Sequence, residues 1–328
     1  EAADEATKPN LLQQRKALGA QVRAYQDRLI QTHPKSLTAS ILSSSRSPEI
    51  PPGLDRVASF YHYRARYWDG FDWADERLIR TRIFKEHMEQ WIEKLTIQAP
   101  DSVIKAVDFI LENVQNAGNK KMMQYASAEL LNKYAQSKII CMDAVYVFIG
   151  EKYYCNSNVV VDWVEPDQLT KICEDVQKLK PLQCGLYAPN IRLRNMEGQS
   201  INLYDVQAEY VALYFWDPTC GNCSKATDKL VPVYEEYKDK GFEVFGICSK
   251  TWKDIAQCKN KIAEKKMTFL NTSDDAYPLA VVKKQYNVQA NPYIILLDKD
   301  KKIRWKRLDP DQLRDLLQRN LVDRKDQP

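Results

Sequence analysis

A chain of 328 residues is longer than one hydrophobic core usually spans, so two domains are expected. Its 44% apolar and 28% charged residues exclude a disordered or collagen-like polymer, and no apolar run approaches the roughly 20 residues that cross a bilayer. The net charge of +4, with 24 basic against 24 acidic residues before position 191, is too small and too dispersed to mark a nucleic-acid surface.

The start, Glu1-Ala2-Ala3-Asp4, is polar and shows no basic-then-apolar leader. From Asn10 to His33, Leu11, Leu18, Val22, Tyr25 and Leu29 recur at three-, four- and seven-residue steps, which predicts a helix with one buried face ended by Pro34. The serine-rich stretch 36–53 closes on Pro51-Pro52-Gly53 and reads as a loop or linker. Helices are predicted over Asp75–Thr96, Asp101–Ala117, Asn119–Ser137 and Asp167–Leu179, with Asp101-Ser102 and Asp167 as N-caps. Before residue 185 only Val159–Val164 has the composition of a strand, so the first half is expected to be helical. Its Trp68, Phe71 and Trp73 read as core.

Past Leu182 the period changes. Ile191–Asn195 and Ser200–Tyr204 alternate around Met196-Glu197-Gly198-Gln199, a hairpin pattern, and Tyr210–Trp216 is a fully apolar run suited to a central strand. A helix (Ser224–Lys240), strand (Phe242–Cys248), helix (Trp252–Lys265), short strand (Thr268–Asn271) and helix (Tyr277–Tyr286) follow. The strands Tyr293–Leu297 and Lys302–Trp305 and the helix Pro310–Leu321 complete a pattern that predicts a mixed sheet covered on both faces.

The chemistry concentrates in Cys220-Gly221-Asn222-Cys223, set between the apolar strand and an amphipathic helix. A sulfur at a helix N-terminus meets unpaired amides and the positive end of the dipole, which stabilise a thiolate. Cys220 is the expected nucleophile on a substrate disulfide and Cys223 the resolving thiol, with no cofactor required. The competing reading of a CxxC pair is half a zinc site. Cys248 and Cys258 are single residues, and His33, His62 and His87 all precede residue 100, so the other two ligands are missing and no metal is expected. Asn291-Pro292 stands just before the strand at Tyr293, where proline is normally excluded unless it makes a special turn. With the strand-CxxC-helix unit upstream, a cis bond is expected, leaving the Asn291 backbone free to pair with an extended substrate. Cys141, Cys155, Cys173 and Cys184 show no recognisable pairing and read as buried free thiols, and eight cysteines leave the redox compartment open.

On these motifs residues 186–321 resemble the thioredoxin superfamily: Phe215-Trp216 separated by three residues from Cys220-x-x-Cys223, and Asn291-Pro292 at its cis-proline position. The extra helix and strand between Cys248 and Tyr277, with Ala188-Pro189-Asn190 before the hairpin, resemble the TlpA/ResA branch of periplasmic thiol-disulfide oxidoreductases. Tyr67–Asp72, Arg77–Thr81 and the segment from Lys138 to Tyr154 resemble an uncharacterised helical domain that precedes such modules in Gram-negative bacteria, often in longer exported chains. The resemblance implies an α/β thioredoxin-like fold with a separate all-α N-terminal domain. The segments expected are a helix and linker over 1–53, a helical domain over 54–182 and the thioredoxin-like domain over 183–328. It implies thiol-disulfide exchange with exported proteins, fed by an upstream thiol reductant, in the periplasm or another exported location. Asn291, Pro292, Trp216, Thr219 and Asn222 would contact substrate. If the protein is exported, Cys173 and Cys184 could form a bridge.

The departures are as informative. The buried acid common five or six residues before the nucleophile is replaced by Tyr214 and Phe215, and Thr219 stands where tryptophan is common. Asp217 is the nearest carboxylate, either a proton acceptor or a cap of the turn. Asn222 brings a donor and no charge between the cysteines, which points to the reducing direction, nearer about −270 mV than about −120 mV. The alternative is a non-catalytic binding module on a thioredoxin-like scaffold, which a deeply buried Cys220 sulfur would favour. Peroxidase chemistry ranks last, since it needs a nearby Thr and Arg and only Thr219 is at hand.

Overall fold

The structure, a computed structural model, describes residues 8–157, 160–273 and 281–323. The chain divides into two compact units, Glu1–Asn132 and Lys133–Pro328.

The first unit is helical: α1 (Lys8–Thr32), α2 (Leu37–Ser44), α3 (Arg56–Ala65), α4 (Ile83–Glu93), α5 (Pro100–Asn116) and most of α6 (Lys120–Ala135). Three expectations need correcting. The apolar stripe of α1 is largely exposed, with Leu18 at 62% and Tyr25 at 56%; spacing decides which residues share a face, whereas burial needs an opposing surface. The stretch read as a loop contains α2, capped by Ser36, whose Oγ accepts from the Ala39 amide at 3.1 Å. Asp101-Ser102 is not a cap, because α5 begins at Pro100, whose fixed φ suits a first turn and whose missing N–H is not needed there. Trp68 and Phe71 are buried in an aromatic cluster with Trp73, Phe84, His87 and Trp91, in agreement with their reading as core.

The second unit opens with α7 (Asp143–Ile149), which widens into one π-turn over Gly150–Tyr154, and α8 (Pro166–Leu179), which starts on a proline rather than on Asp167. A Cβ at Gly150 would collide with the Val176 side chain of α8. Residues 160–164 form no strand, and Val159 lies outside the described residues.

A seven-stranded mixed sheet follows, in the order β2-β1-β5-β4-β3-β6-β7. Its strands are β1 (Arg192–Asn195), β2 (Ser200–Asn202), β3 (Tyr210–Trp216), β4 (Phe242–Cys248), β5 (Leu270–Ser273), β6 (Tyr293–Asp298) and β7 (Ile303–Lys306). β3, β4 and β5 run parallel, and β6 runs antiparallel to β3. The two-residue period of a strand divides the core. Ala212, Tyr214, Trp216 and Val244 pack under α9 (Gly221–Tyr237), α10 (Ile255–Lys265) and α12 (Pro310–Leu317). Val211, Leu213, Phe215 and Ile247 pack on the opposite face with Leu182, Ala188 and Val282 of α11 (Val281–Gln285). The part of the predicted helix over 277–280 lies outside the described residues. Because β6 opposes β3, the C-terminal ends of β3 and β4 and the N-terminal end of β6 meet at one edge of the sheet.

Candidate active site

That edge gathers three short segments. After β3 the chain turns through Asp217-Pro218-Thr219 into α9, with Cys220 as the N-cap in extended conformation (φ −85°, ψ 115°). Cys220 Sγ accepts the Cys223 N–H at 3.1 Å, one of the amides that a helix start leaves without a backbone partner. Cys220 is a partly exposed residue, whereas Cys223 is 1% exposed, and neither is bonded to another sulfur. Cys220 Sγ lies 3.8 Å from the Asn291 carbonyl oxygen, and the Asn291-Pro292 bond is cis. The Asn291 side chain donates to Ser249 Oγ at 3.1 Å, which ties this loop to the end of β4.

The Cys223 thiol is pushed well above its ordinary value, first by burial and then by the Cys220 sulfur beside it. In the position of the usual acid, Tyr214 is fully buried. Its hydroxyl donates to the Cys223 carbonyl at 3.1 Å and is 2.8 Å from Thr227 Oγ1. A phenol has one hydrogen to give, so Thr227 donates to Tyr214. Burial pushes Tyr214 far up, so it holds the first turn of α9 in place and takes no proton at neutral pH.

Asp217 caps the turn. Its Oδ1 accepts from the Thr219 amide at 2.8 Å and hydroxyl at 2.6 Å, and its Oδ2 pairs with Lys250 Nζ at 3.1 Å. Burial raises its carboxyl, but the Thr219 and Lys250 contacts outweigh that, and the net effect lowers it. All of these contacts favour the charged form, which makes Asp217 a weak proton acceptor.

Thr219 and Asn222 are exposed at the mouth of the site and Pro292 is half-buried beside it. Trp216, expected to touch substrate, is instead a core residue, 1% exposed and clustered with Cys223, because it points to the α9 face of β3. Ser249 and Lys250 were not anticipated from sequence. The available signal was their position directly after a central parallel strand, at the sheet edge where such folds gather ligands.

The reading of buried free thiols is also corrected. Cys141 bonds Cys184, Cys155 bonds Cys173 and Cys248 bonds Cys258, so Cys173 and Cys184 have other partners than each other. Sequence spacing is a poor guide here because the Cα–Cα separations of 5.6–6.3 Å are set by packing. The Cys248–Cys258 bridge anchors α10 to the strand end that carries Ser249 and Lys250. Among the described residues no cluster of three or more His, Cys, Asp or Glu is placed to hold a metal.

Residues 21–179 match a domain of unknown function (DUF5106), and residues 184–306 match the AhpC/TSA family. The thiol-disulfide oxidoreductase ResA of Bacillus thuringiensis (strain Al Hakam) is 33% identical over 127 residues, which cover 37% of this chain and 68% of that protein. A chloroplastic peroxiredoxin Q of Oryza sativa subsp. japonica is 31% identical over 122 residues, covering 37% of this chain and 50% of that protein. A thioredoxin-like protein from Bacteroides caccae superposes with a TM-score of 0.61 at 19% identity, over 84% of this chain and 98% of that one, a likeness of fold.

Proposed function

The chain belongs to the ResA family of thiol-disulfide oxidoreductases, and from that premise we propose that Cys220 and Cys223 reduce disulfides in exported proteins. The observation that carries this reading is Cys220 at the helix start, a partly exposed residue whose sulfur accepts the Cys223 amide, with Cys223 buried within the first turn of the same helix.

The Cys220 thiolate attacks one sulfur of the substrate disulfide. The substrate's S–S bond breaks, one substrate thiolate leaves, and a mixed disulfide forms. Cys223 then loses its proton to solvent and attacks Cys220 Sγ, expelling the second substrate thiolate and closing the Cys220–Cys223 disulfide. Two electrons pass from the dithiol to the substrate, and an upstream dithiol reductant returns them. The order is supported by the electrostatics. While Cys220 is free, its sulfur helps keep Cys223 protonated, and that restraint disappears once Cys220 is bonded to substrate. The two sulfurs need no cofactor. Thr219, Asn222 and the Asn291-Pro292 loop frame the approach and contact the substrate backbone. Export to the bacterial envelope is supported by three disulfides, which persist in oxidising compartments. The reducing direction is supported by Asn222, which adds no charge between the sulfurs.

The test is a redox titration of the pair against a glutathione series, with Cys220→Ser as control. A reversible two-electron transition between about −180 and −280 mV, absent in the control, is expected. A pair that never titrates, or that resists reduction below about −300 mV as structural bridges do, leaves the binding-scaffold reading in its place.

A further inference from the structure

We propose that a trough beside the exchange site binds an extended segment of the substrate polypeptide, and that α7 and α8 form its far wall. The inference rests on the exchange reading above and assigns a role to α7 and α8 of the second unit.

Two cavities of about 280 Å³ each share Asp143, Leu179, Asn287, Gln289 and Arg307, and so lie side by side as the two halves of the proposed trough. One end is lined by Ala290 and Pro292, on either side of Asn291, whose carbonyl oxygen is 3.8 Å from Cys220 Sγ. The other is lined by Tyr134, Tyr146 and Asp175. A chain whose cysteine sits on Cys220 would cross the 290–292 loop to enter the trough, advancing about 3.3 Å per residue when extended.

The lining says what kind of segment fits. Its charges are largely compensated within the protein: Asp143 pairs with the buried Lys306, and Asp175 lies 3.4 Å from Lys178 Nζ. The other polar groups of the lining include the amides of Asn287 and Gln289, bonded to each other at 2.6 Å, the phenols of Tyr134, Tyr146 and Tyr293, and the exposed Arg307, which also donates to the Ser137 carbonyl at 3.4 Å. Amides, a phenol and a guanidinium hydrogen-bond the peptide backbone without demanding a charged side chain. The occupant is thus an extended, uncharged stretch next to the reactive cysteine, of the kind an unfolded or flexible substrate offers.

The wall is held in place before substrate arrives. Cys141–Cys184 joins the segment just before α7 to the chain just before the sheet, and Lys306 of β7 reaches both Asp143 and the Leu182 carbonyl, the latter at 2.7 Å. A preformed wall spares the ordering cost that a loose one would add to binding.

The experiment compares the full chain with Gln289→Trp, which fills the trough from an exposed position, and with Tyr146→Ala. Each is given two substrates: oxidised glutathione, and a short uncharged peptide dimer joined by one disulfide. The ratio of kcat/KM for the peptide to that for oxidised glutathione is expected to fall about tenfold in Gln289→Trp, mainly through KM, and to fall in Tyr146→Ala as well. A ratio within twofold of the wild-type value in both variants overturns the trough while leaving the exchange reading intact. If the wild-type protein reduces neither disulfide, the exchange reading itself fails, and the trough with it.

Discussion

Replacing Lys250 by Met should destabilise the second unit and slow the resolving step. Lys250 and Asp217 side chains are 11% and 12% exposed, with 3.1 Å between Nζ and Oδ2. At that distance the gross attraction is about 5 kcal/mol for an effective dielectric constant near 20. Removing one partner of a buried pair costs about 3–5 kcal/mol, because the other charge is left uncompensated. Asp217 keeps its two Thr219 donors, so the expected loss is smaller, about 2–3 kcal/mol. For a unit of this size that lowers the melting temperature by about 4–12 °C. Asp217 also raises the Cys223 thiol through its charge, an effect that grows when the ammonium is gone. Calorimetry of the wild type, Lys250→Met, Asp217→Asn and the double variant closes a cycle. The double variant should be more stable than Lys250→Met, since no unpaired charge remains. A Lys250→Met cost under about 0.5 kcal/mol, or strict additivity in the double variant, would refute the argument.

The lowered Asp217 carboxyl adds stability that is complete above its unfolded value of about 3.9 and is lost as pH falls through the lower folded value. Asp217→Asn should therefore flatten the acid limb of a melting temperature against pH curve below about pH 4, and an unchanged limb would count against the assignment. Alkylation of the reduced protein at neutral pH should mark Cys220 and spare the buried, raised Cys223 thiol, as peptide mass mapping would reveal; equal labelling would contradict the asymmetry of the pair. Removing Cys141 and Cys184 together, as alanines, opens a loop of 43 residues and should cost about 4 kcal/mol in denaturant unfolding. A cost below about 1 kcal/mol would show that the bridge constrains little.

Much of the site was legible because its signals are local. Cys220-Gly221-Asn222-Cys223 lies between a strand and a helix that patterning placed within a few residues of Tyr210–Trp216 and Gly221–Tyr237. The placement of Trp216 was not legible. An apolar residue beside the motif is compatible with substrate contact or with core, and the choice depends on which face of β3 is covered by α9. Lys250 was missed for a related reason: it is 33 residues from Asp217 in sequence, and only the parallel pairing of β3 with β4 brings the two together.

The amino-acid sequence by itself determined the helical first half, the mixed sheet, the cysteine pair and the proline that faces it, because periodicity, capping and turn chemistry act over a few residues. Tertiary structure alone decided the three disulfide partners, the buried ion pair under the active-site turn and the trough between α7, α8 and the 287–293 segment. Each of these joins residues distant along the chain. Their distances follow from how the helices pack on the sheet, a property of the assembled core that no local stretch encodes.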